Sequence, residues 1–456
     1  MIEYSEAWKY CPDTFAFKAS QGEWLPYNHV VEAFKIIHAE LLKGGARIII
    51  NMPPRHGKSL SFTKWLPLWF LSMWPHKKVI IASYEHGVAT DWSSAQRDEI
   101  QTNEMIPVEL DGRYTAGDNW KTTAGGGCVA AGVGSAITGR GMHLGIIDDP
   151  VKDWKQAHSV TYQKDCVNWY KSTFNTRLEP GANVIVIMTR WTDKDLTGHL
   201  LTDPESNDRW IQIKLPALAE EGDPLGRNEG EALCPERFTR ADLLLKKKEV
   251  GSMVFAGLYQ QRPSPVEGGI FKRDWWKYYK VLPSISKFDD SLTSWDMNFK
   301  ETTTGSFVVG STIGRIDADF IFMPYLFRDR VDYPVARRAV INSNVKYPWV
   351  SAHLVEDKAN GSAILADLKL AIPGLIPWQP QGKMVQAQAA SPMMESGNVL
   401  LPDPQYFPEA IWVPDWIEEH TAFPKGKYDD QVDSGCQGLL KLKERMNAGG
   451  IYAGRA

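Results

Sequence analysis

Met52 to Ser59 reads Met-Pro-Pro-Arg-His-Gly-Lys-Ser. A glycine, a lysine and a hydroxyl in that order suit the phosphates of a nucleoside triphosphate. Backbone N–H groups at the start of a following helix can surround an anion, and the helix dipole favours negative charge there. Pro54, Arg55, His56, Gly57, Lys58 and Ser59 are therefore the candidate nucleotide cradle. Lys58 would reach the β- and γ-phosphates of ATP, and the Ser59 hydroxyl would ligate Mg²⁺. The full pattern asks for glycine where Met52 stands, so the loop departs from it at its first position.

Leu144 to Pro150 (Leu-Gly-Ile-Ile-Asp-Asp-Pro) supplies an acidic partner. An apolar strand ending in paired carboxylates sets them at the carboxyl edge of a sheet, expected on a strand neighbouring the loop. Asp148 would hold Mg²⁺, directly or through water, and Asp149 would stand near the attacking water in a place where many such ATPases carry the longer Glu. Two arginines could stabilise charge developing on the γ-phosphate, an effect worth roughly 10³ or more in rate. Arg55 lies inside the loop and could act in cis. Arg140, in the glycine-flanked stretch Ile137 to Gly141, could reach a neighbouring subunit, or could equally be an ordinary surface or salt-bridging arginine. Thr189-Arg190-Trp191 could sense the nucleotide, and Trp24 to His29 could cradle the adenine.

A second acidic constellation lies downstream: Asp296; Glu356 and Asp357; Asp429, Asp430 and Asp433. On a helix starting near residue 430, Asp430 and Asp433 share a face, as do Asp429 and Asp433. Cleavage of a phosphodiester by two metal ions needs several carboxylates converging on ions about 4 Å apart. Hard oxygen ligands suit Mg²⁺ or Mn²⁺. Any one of these acids alone reads as a strand end or a helix cap, Asp429 above all. The order of the three clusters carries the argument, with Asp357 favoured over Glu356, and Asp430 over its neighbours, as metal ligand.

The elements that must position these groups can be read from the apolar pattern. Arg47–Asn51, Lys78–Tyr84, Leu144–Asp148 and Asn183–Thr189 are nearly continuous β-branched runs, with a helix from about Ser59 and another after the second strand. Such strands, separated by helices, imply a mainly parallel sheet with helices on both faces. From Phe255 to Asp274 two prolines and a Gly-Gly pair break the rhythm. Three strand-like runs then follow with short turns, beginning at Ser291. After them come a helix, a strand at His353–Asp357, further helices and a last helix from about Asp430. That order fits an RNase H-like fold, whose nucleases draw an Asp from the first strand, an Asp or Glu from a later strand and an Asp from the last helix. The expected organisation is an α/β chain with a P-loop NTPase domain over 1–255, a linker over 256–280, an RNase H-like nuclease domain over 281–446 and a flexible tail over 447–456.

Composition bounds the rest. The 456 residues are too many for one ordinary core and comfortable for two. Five scattered cysteines without a C-x-x-C pair argue against a disulfide framework or a zinc knuckle and point to a reducing cytoplasm. No apolar stretch approaches the roughly 20 residues of a membrane span, so no membrane partner is expected, and the first residues do not read as a secretory leader. The net charge of −4 lacks the basic excess of a static DNA-gripping protein, which leaves transient holding or a local basic surface.

The ordered set Pro-Pro-Arg-His-Gly-Lys-Ser, Ile-Ile-Asp-Asp-Pro-Val-Lys-Asp, Met-Thr-Arg-Trp, Leu-Tyr-Gln-Gln-Arg-Pro, Ser-Trp-Asp, Val-Glu-Asp-Lys-Ala-Asn-Gly and Lys-Tyr-Asp-Asp-Gln-Val-Asp-Ser resembles the large terminase subunit of tailed bacteriophages, over about residues 20 to 445. The resemblance implies a motor that hydrolyses ATP to drive double-stranded DNA into a procapsid, and a nuclease that cuts concatemeric DNA. It implies a homo-oligomeric ring, often a pentamer, on the portal protein, and a small terminase subunit that selects DNA; whether the isolated subunit is a monomer stays open. It places the protein in the host cytoplasm and outside the mature virion. Carried over residue by residue, it assigns Walker-type roles to Lys58, Ser59 and Asp148, a finger to Arg140, and nuclease roles to Asp296, Asp357 and Asp430. Asp149, in place of Glu, puts the water-activating role in doubt. The alternative is a P-loop helicase or translocase with a non-catalytic second domain, in which Asp296, Asp357 and Asp430 would not converge. An RNase H-like recombinase would show strand transfer. A structural vertex protein with a decayed nucleotide site is argued against by the intact Lys58, Ser59 and Asp148.

Overall fold

A computed structural model describes residues 8–137, 139–205, 209–263, 269–297, 306–357, 360–379 and 382–453. It divides into two compact units: Met1–Lys247 with Ser252–Pro265, and Lys248–Gly251 with Val266–Ala456. The stretch expected to link two domains, 256–280, is mostly built into one unit or the other. Gln260 donates its amide N–H to Leu218 O (2.8 Å) in the first unit, and Phe271 is buried in the core of the second. Residues 264–268, in the middle of that stretch, lie outside the described residues.

The first unit is built on eight strands: β1 (Arg47–Asn51), β2 (Lys78–Ser83), β3 (Leu110–Ala116), β4 (Asn119–Thr122), β5 (Gly127–Gly132), β6 (Met142–Asp148), β7 (Leu178–Met188) and β8 (Ile211–Lys214). Their order is β3-β4-β5-β2-β6-β7-β1-β8. All pairings from β5 to β8 are parallel, while β3, β4 and β5 pair antiparallel at one edge. The β-branched runs are explained by burial on both faces. Ile48, Ile50, Ile81 and Ile146 enter one core with Phe34, Phe62 and Trp69. Ile49, Ile80, Ile147 and Val186 enter the other with Trp169 and Phe174. The register pairs Ser83 with Asp148, Asp148 with Ile187, and Asn51 with Met188, so these strand ends lie level at the carboxyl edge. β6 is not the neighbour of β1, as the sequence led us to expect; β7 lies between them. The intervening strand therefore delivers the Thr189 N–H to the acidic pair.

The second unit contains β9 (Lys277–Tyr279), β10 (Asp290–Met297), β11 (Val308–Ile316), β12 (Asp319–Phe322), β13 (Phe327–Asp329), β14 (Ala352–Glu356), β15 (Leu375–Trp378) and β16 (Val399–Pro402). They form one sheet in the order β15-β14-β10-β11-β12-β16-β9, with β13 on β11. β10, β11 and β12 are the expected antiparallel meander, and β14 joins β10 in parallel. The helix Asp430–Ala453 lies across β10 and β11. Gly438 permits that close approach, because a Cβ there would stand 2.8 Å from Ile313 and 3.0 Å from the Ser294 Cβ. Ser434 Oγ donates to Ser294 O (2.9 Å) and Gln437 Nε2 to Trp295 O (2.9 Å), which fixes the helix over the end of β10. The helix runs on to Ala453, past residue 447 where a tail was expected. Once nucleated, a helix gains a hydrogen bond for each residue added, so two glycines need not stop it.

Candidate functional site

Two centres can be built from these elements, one in each unit. In the first, the chain leaves β1 and turns into a helix through a loop with two left-handed residues, Arg55 (φ 63°) and Gly57 (φ 87°). Met52 has no such conformation and is buried in the core, so glycine has no role to play there. Lys58 is 8% exposed, and its Nζ lies 2.6 Å from Asp149 Oδ2. Asp149 turns off β6 with φ 42°. Its N–H donates to Ile187 O (2.8 Å), and its Oδ1 accepts from the Thr189 N–H (3.2 Å).

Asp148 points into the loop's helix. Its Oδ2 accepts from Thr63 Oγ1 (2.8 Å), the Ser59 hydroxyl stands near enough to the same carboxylate to pull its pKa down, and its Oδ1 has no partner among the described residues. Burial, with the Asp149 charge adding, pushes its pKa up to about 6 against the pull of Lys58. A buried carboxylate with a spare oxygen beside a serine hydroxyl is a hard-oxygen donor set of the kind Mg²⁺ takes. Thr63 was missed by sequence reasoning, although it stands one helical turn beyond Ser59 and shares its face.

The remaining loop candidates divide. Arg55 is exposed and Pro54 half-buried, while His56 is buried. His56 Nδ1–H donates to Pro54 O (2.8 Å), and His29 Nε2–H donates to the His56 carbonyl (2.9 Å). Burial holds the His56 imidazole down at about 4, so it is neutral at pH 7. Beside the loop, Trp24, Tyr27, His56, Gly57 and Arg237 line a cavity of about 110 Å³. The Trp24 indole N–H donates to Ser61 Oγ (2.9 Å). Of the expected adenine cradle, Trp24 and Tyr27 therefore line the cavity and His29 braces the loop.

Arg190 is buried and paired by its Nε with both oxygens of Asp195 (3.0 and 2.9 Å). Asp195 also accepts from Gly198 N–H (2.9 Å) at the start of the helix Leu196–Thr202 and from Trp191 N–H (3.2 Å). Arg140 is not brought to this centre. It is exposed and precedes β6, so the seven residues of that strand, at about 3.3 Å each, put it roughly 20–25 Å from Asp148. It lines a separate cavity of about 610 Å³ with Lys78, Arg113 and Lys121.

The second centre gathers around the end of β10. Asp296 is 3% exposed, and Asp430 opens the last helix at 1% exposed. Asp430 Oδ2 accepts from Phe307 N–H (3.0 Å), while Asp430 Oδ1 and Asp296 Oδ2 are buried without a partner among the described residues. Burial raises the Asp296 pKa well above the carboxylate range, and the charges of Asp433, Asp430 and Glu356 add to it. Asp433 is pushed up to about 7, chiefly by burial. Lys383 bridges Asp429 Oδ1 and Asp433 Oδ2, at 2.6 Å each.

The structure corrects the choice between Glu356 and Asp357. β10 and β14 pair Trp295 with Val355, so Glu356 shares the face of Asp296, and the next residue leaves on the other side. Glu356 acts electrostatically on Asp296 and Asp433. Asp357 is engaged elsewhere, accepting from Ser362 Oγ (2.7 Å) and Gln379 Nε2 (3.0 Å). Asp296, Glu356, Asp430 and Asp433 thus share one neighbourhood, with Asp429 at its edge. Among the described residues, no three of these carboxylates close on one point as they stand. The two orphaned buried oxygens and the mutual repulsion of the acids are what a divalent cation would satisfy. Lys383 was invisible in the sequence, lying 46 residues from Asp429 with no motif around it.

A family described as terminase large subunit, T4likevirus-type, N-terminal, matches residues 49–277, just over half of the chain. Among curated proteins none matches the sequence. Similar solved structures include the large terminase of the thermophilic bacteriophage D6E in complex with ADP, at 8% identity over 88% of this chain and 94% of that one, with a TM-score of 0.50. A second crystal form of the D6E protein matches at 9% identity over 88% and 95%, also with a TM-score of 0.50. The HK97 bacteriophage large terminase matches at 12% identity over 90% and 94%, with a TM-score of 0.37. At such identities the D6E structures speak to fold alone.

Proposed function

The chain belongs to the terminase large subunits, and from that membership we propose that Lys58, Ser59, Asp148 and Asp149 serve ATP hydrolysis while Asp296, Glu356, Asp430 and Asp433 serve DNA cleavage. In general terms it is an ATPase and a nuclease of viral DNA packaging, using nucleotide and divalent metal and working on DNA with the packaging machinery of a phage. The assignment at the first centre is carried by one observation, the 2.6 Å contact that closes the loop lysine onto the acidic end of β6.

In this reading the backbone N–H groups from Arg55 to Ser59 cradle the phosphates, and Lys58 neutralises the β- and γ-phosphates. Ser59 and Asp148 would hold Mg²⁺, which when bound spreads the charge developing on the transferred phosphoryl group. Asp149 orients the attacking water, and the Thr189 N–H on its other oxygen fixes the direction of its carboxylate. Arg140, remote from its own loop, serves the next subunit of a ring, taken here as a pentamer on the portal of a procapsid. In the second unit, the carboxylates of Asp296, Glu356, Asp430 and Asp433 would hold two Mg²⁺ or Mn²⁺ ions, which activate water and stabilise the leaving oxygen. Asp429 and Asp357 shape the rim. A small terminase subunit selects the DNA, and the protein acts in the host cytoplasm and stays out of the finished virion.

The test separates the centres. Lys58→Ala should abolish ATP hydrolysis and leave Mn²⁺-dependent plasmid cleavage measurable; Asp296→Ala should do the reverse. Unchanged hydrolysis in the first variant, or persistent cleavage in the second, removes that residue from its site.

A further inference from the structure

The acidic cluster of the second unit already contains one cation. Lys383 Nζ is 2.6 Å from Asp429 Oδ1 and 2.6 Å from Asp433 Oδ2, while Asp296 Oδ2 and Asp430 Oδ1 are buried with no partner among the described residues. Five carboxylates, Asp296, Glu356, Asp429, Asp430 and Asp433, and one ammonium make an unbalanced set. The ammonium reaches the outer pair and leaves the inner oxygens unserved. Lys383 itself is not sealed in, since 46% of its side chain is exposed. It stands at the start of the helix Lys383–Glu395, just after Gly382 (φ 92°), so its backbone is held by a regular element while its side chain stays partly open to solvent.

We propose that the Lys383 ammonium is the resting counter-ion of the nuclease cluster and occupies ground that a divalent cation must take, so that metal entry displaces it from Asp433. This rests on reading the cluster as a metal site. The balance is one of charge alone: Asp433 exchanges an ammonium for an M²⁺ ion, no covalent bond changes, and Lys383 swings out toward solvent or stays on Asp429. A phosphodiester arriving with the metal gives the released ammonium an anionic partner, so DNA and metal would load together. Lys383 is here a regulator of metal loading and not a catalytic residue.

The experiment uses the full chain without nucleotide. Mn²⁺ is titrated calorimetrically into wild type, Lys383→Met, Lys383→Arg and Asp296→Asn. The methionine keeps the aliphatic stem and removes the charge. The displaced ion pair is partly exposed and weak, so losing the competing cation should tighten the Mn²⁺ sites that depend on Asp296 by roughly two- to fivefold. The arginine should bind as wild type does. In the unmutated protein, the rate at which an N-hydroxysuccinimide ester acetylates Lys383, read by peptide mass spectrometry, should rise when Mn²⁺ replaces EDTA. This second readout stands even where the methionine variant fails to fold. Wild-type Mn²⁺ affinity in Lys383→Met, or weaker binding, overturns the proposal, as does acetylation indifferent to metal. If wild type and Asp296→Asn bind Mn²⁺ alike, the nuclease reading itself fails, which is a different result.

Discussion

Asp195 makes the most exacting test of the ATPase unit, because one buried carboxylate does three things at once. It caps the helix Leu196–Thr202 through Gly198 N–H, it holds Trp191 N–H, and it neutralises Arg190. Its side chain is 2% exposed and that of Arg190 10%, and burial raises the Asp195 pKa. The intact pair is therefore worth little net, while breaking it leaves a guanidinium stranded, at a cost of about 3–5 kcal/mol. The lost cap is worth about 1 kcal/mol, but it belongs to the same carboxylate and does not simply add. Asp195→Ala should thus destabilise the first unit by about 3–5 kcal/mol in urea unfolding. Asp195→Asn, which keeps an acceptor for the cap, should cost about 1 kcal/mol less. Arg190→Leu combined with Asp195→Ala should recover part of the loss, since no buried charge remains. ATP hydrolysis should fall further than nucleotide binding in Asp195→Ala, because the segment released is the one whose Thr189 N–H aims Asp149. A cost under about 1 kcal/mol, or a double variant no more stable than Asp195→Ala alone, would refute the argument.

At the nuclease centre, Glu356→Ala should abolish Mn²⁺-dependent cleavage, whereas Asp357→Ala should leave most of it in a plasmid-nicking assay; the reverse order would undo the register argument. Arg140→Ala should lower ATPase activity in assembled or concentrated protein and leave the dilute monomer unchanged, as followed by phosphate release across a concentration series. His420 is enclosed by Trp416, Trp276 and Phe271, and burial lowers its pKa from 6.5 to about 3. A folded-state value below the unfolded one gives stability that is present above pH 6.5 and drains away as pH falls toward 3. Between pH 6 and 4, wild type should lose about 1.4 kcal/mol per pH unit relative to His420→Leu in urea unfolding, and parallel curves would show that His420 does not titrate on unfolding.

What could be read in advance followed from how strongly each pattern is forced. β1, β2, β6 and β7 each hold an apolar stretch rich in Ile or Val that burial on both faces explains, and Lys58, Ser59 and Asp148 sit at or just beyond their ends. β3 (Leu-Asp-Gly-Arg-Tyr-Thr-Ala) is polar and β8 (Ile-Gln-Ile-Lys) is short and half polar, and only their neighbours make them strands. The placing of β7 between β1 and β6 is a matter of topology that no local pattern encodes. Asp296 and Asp430 were legible as the first-strand and last-helix acids. The choice between Glu356 and Asp357 was not, because Leu354 and Val355 are both apolar and both buried. Alternation therefore gives no parity until the pairing of Trp295 with Val355 is known. Lys383 depends wholly on a tertiary contact.

The hold of Lys58 on Asp149 gives the ATPase centre an order of events. On the roles proposed above, the acid that would orient water is covered, while no triphosphate is present, by the side chain that nucleotide would recruit. A γ-phosphate drawing Lys58 away would leave Asp149 uncovered, still tethered by its second oxygen to the Thr189 backbone. Arming and loading become the same act. A diphosphate, with nothing in the γ position, would pull less on the lysine and let the acid fall quiet again, a safety catch that resets itself after each turnover.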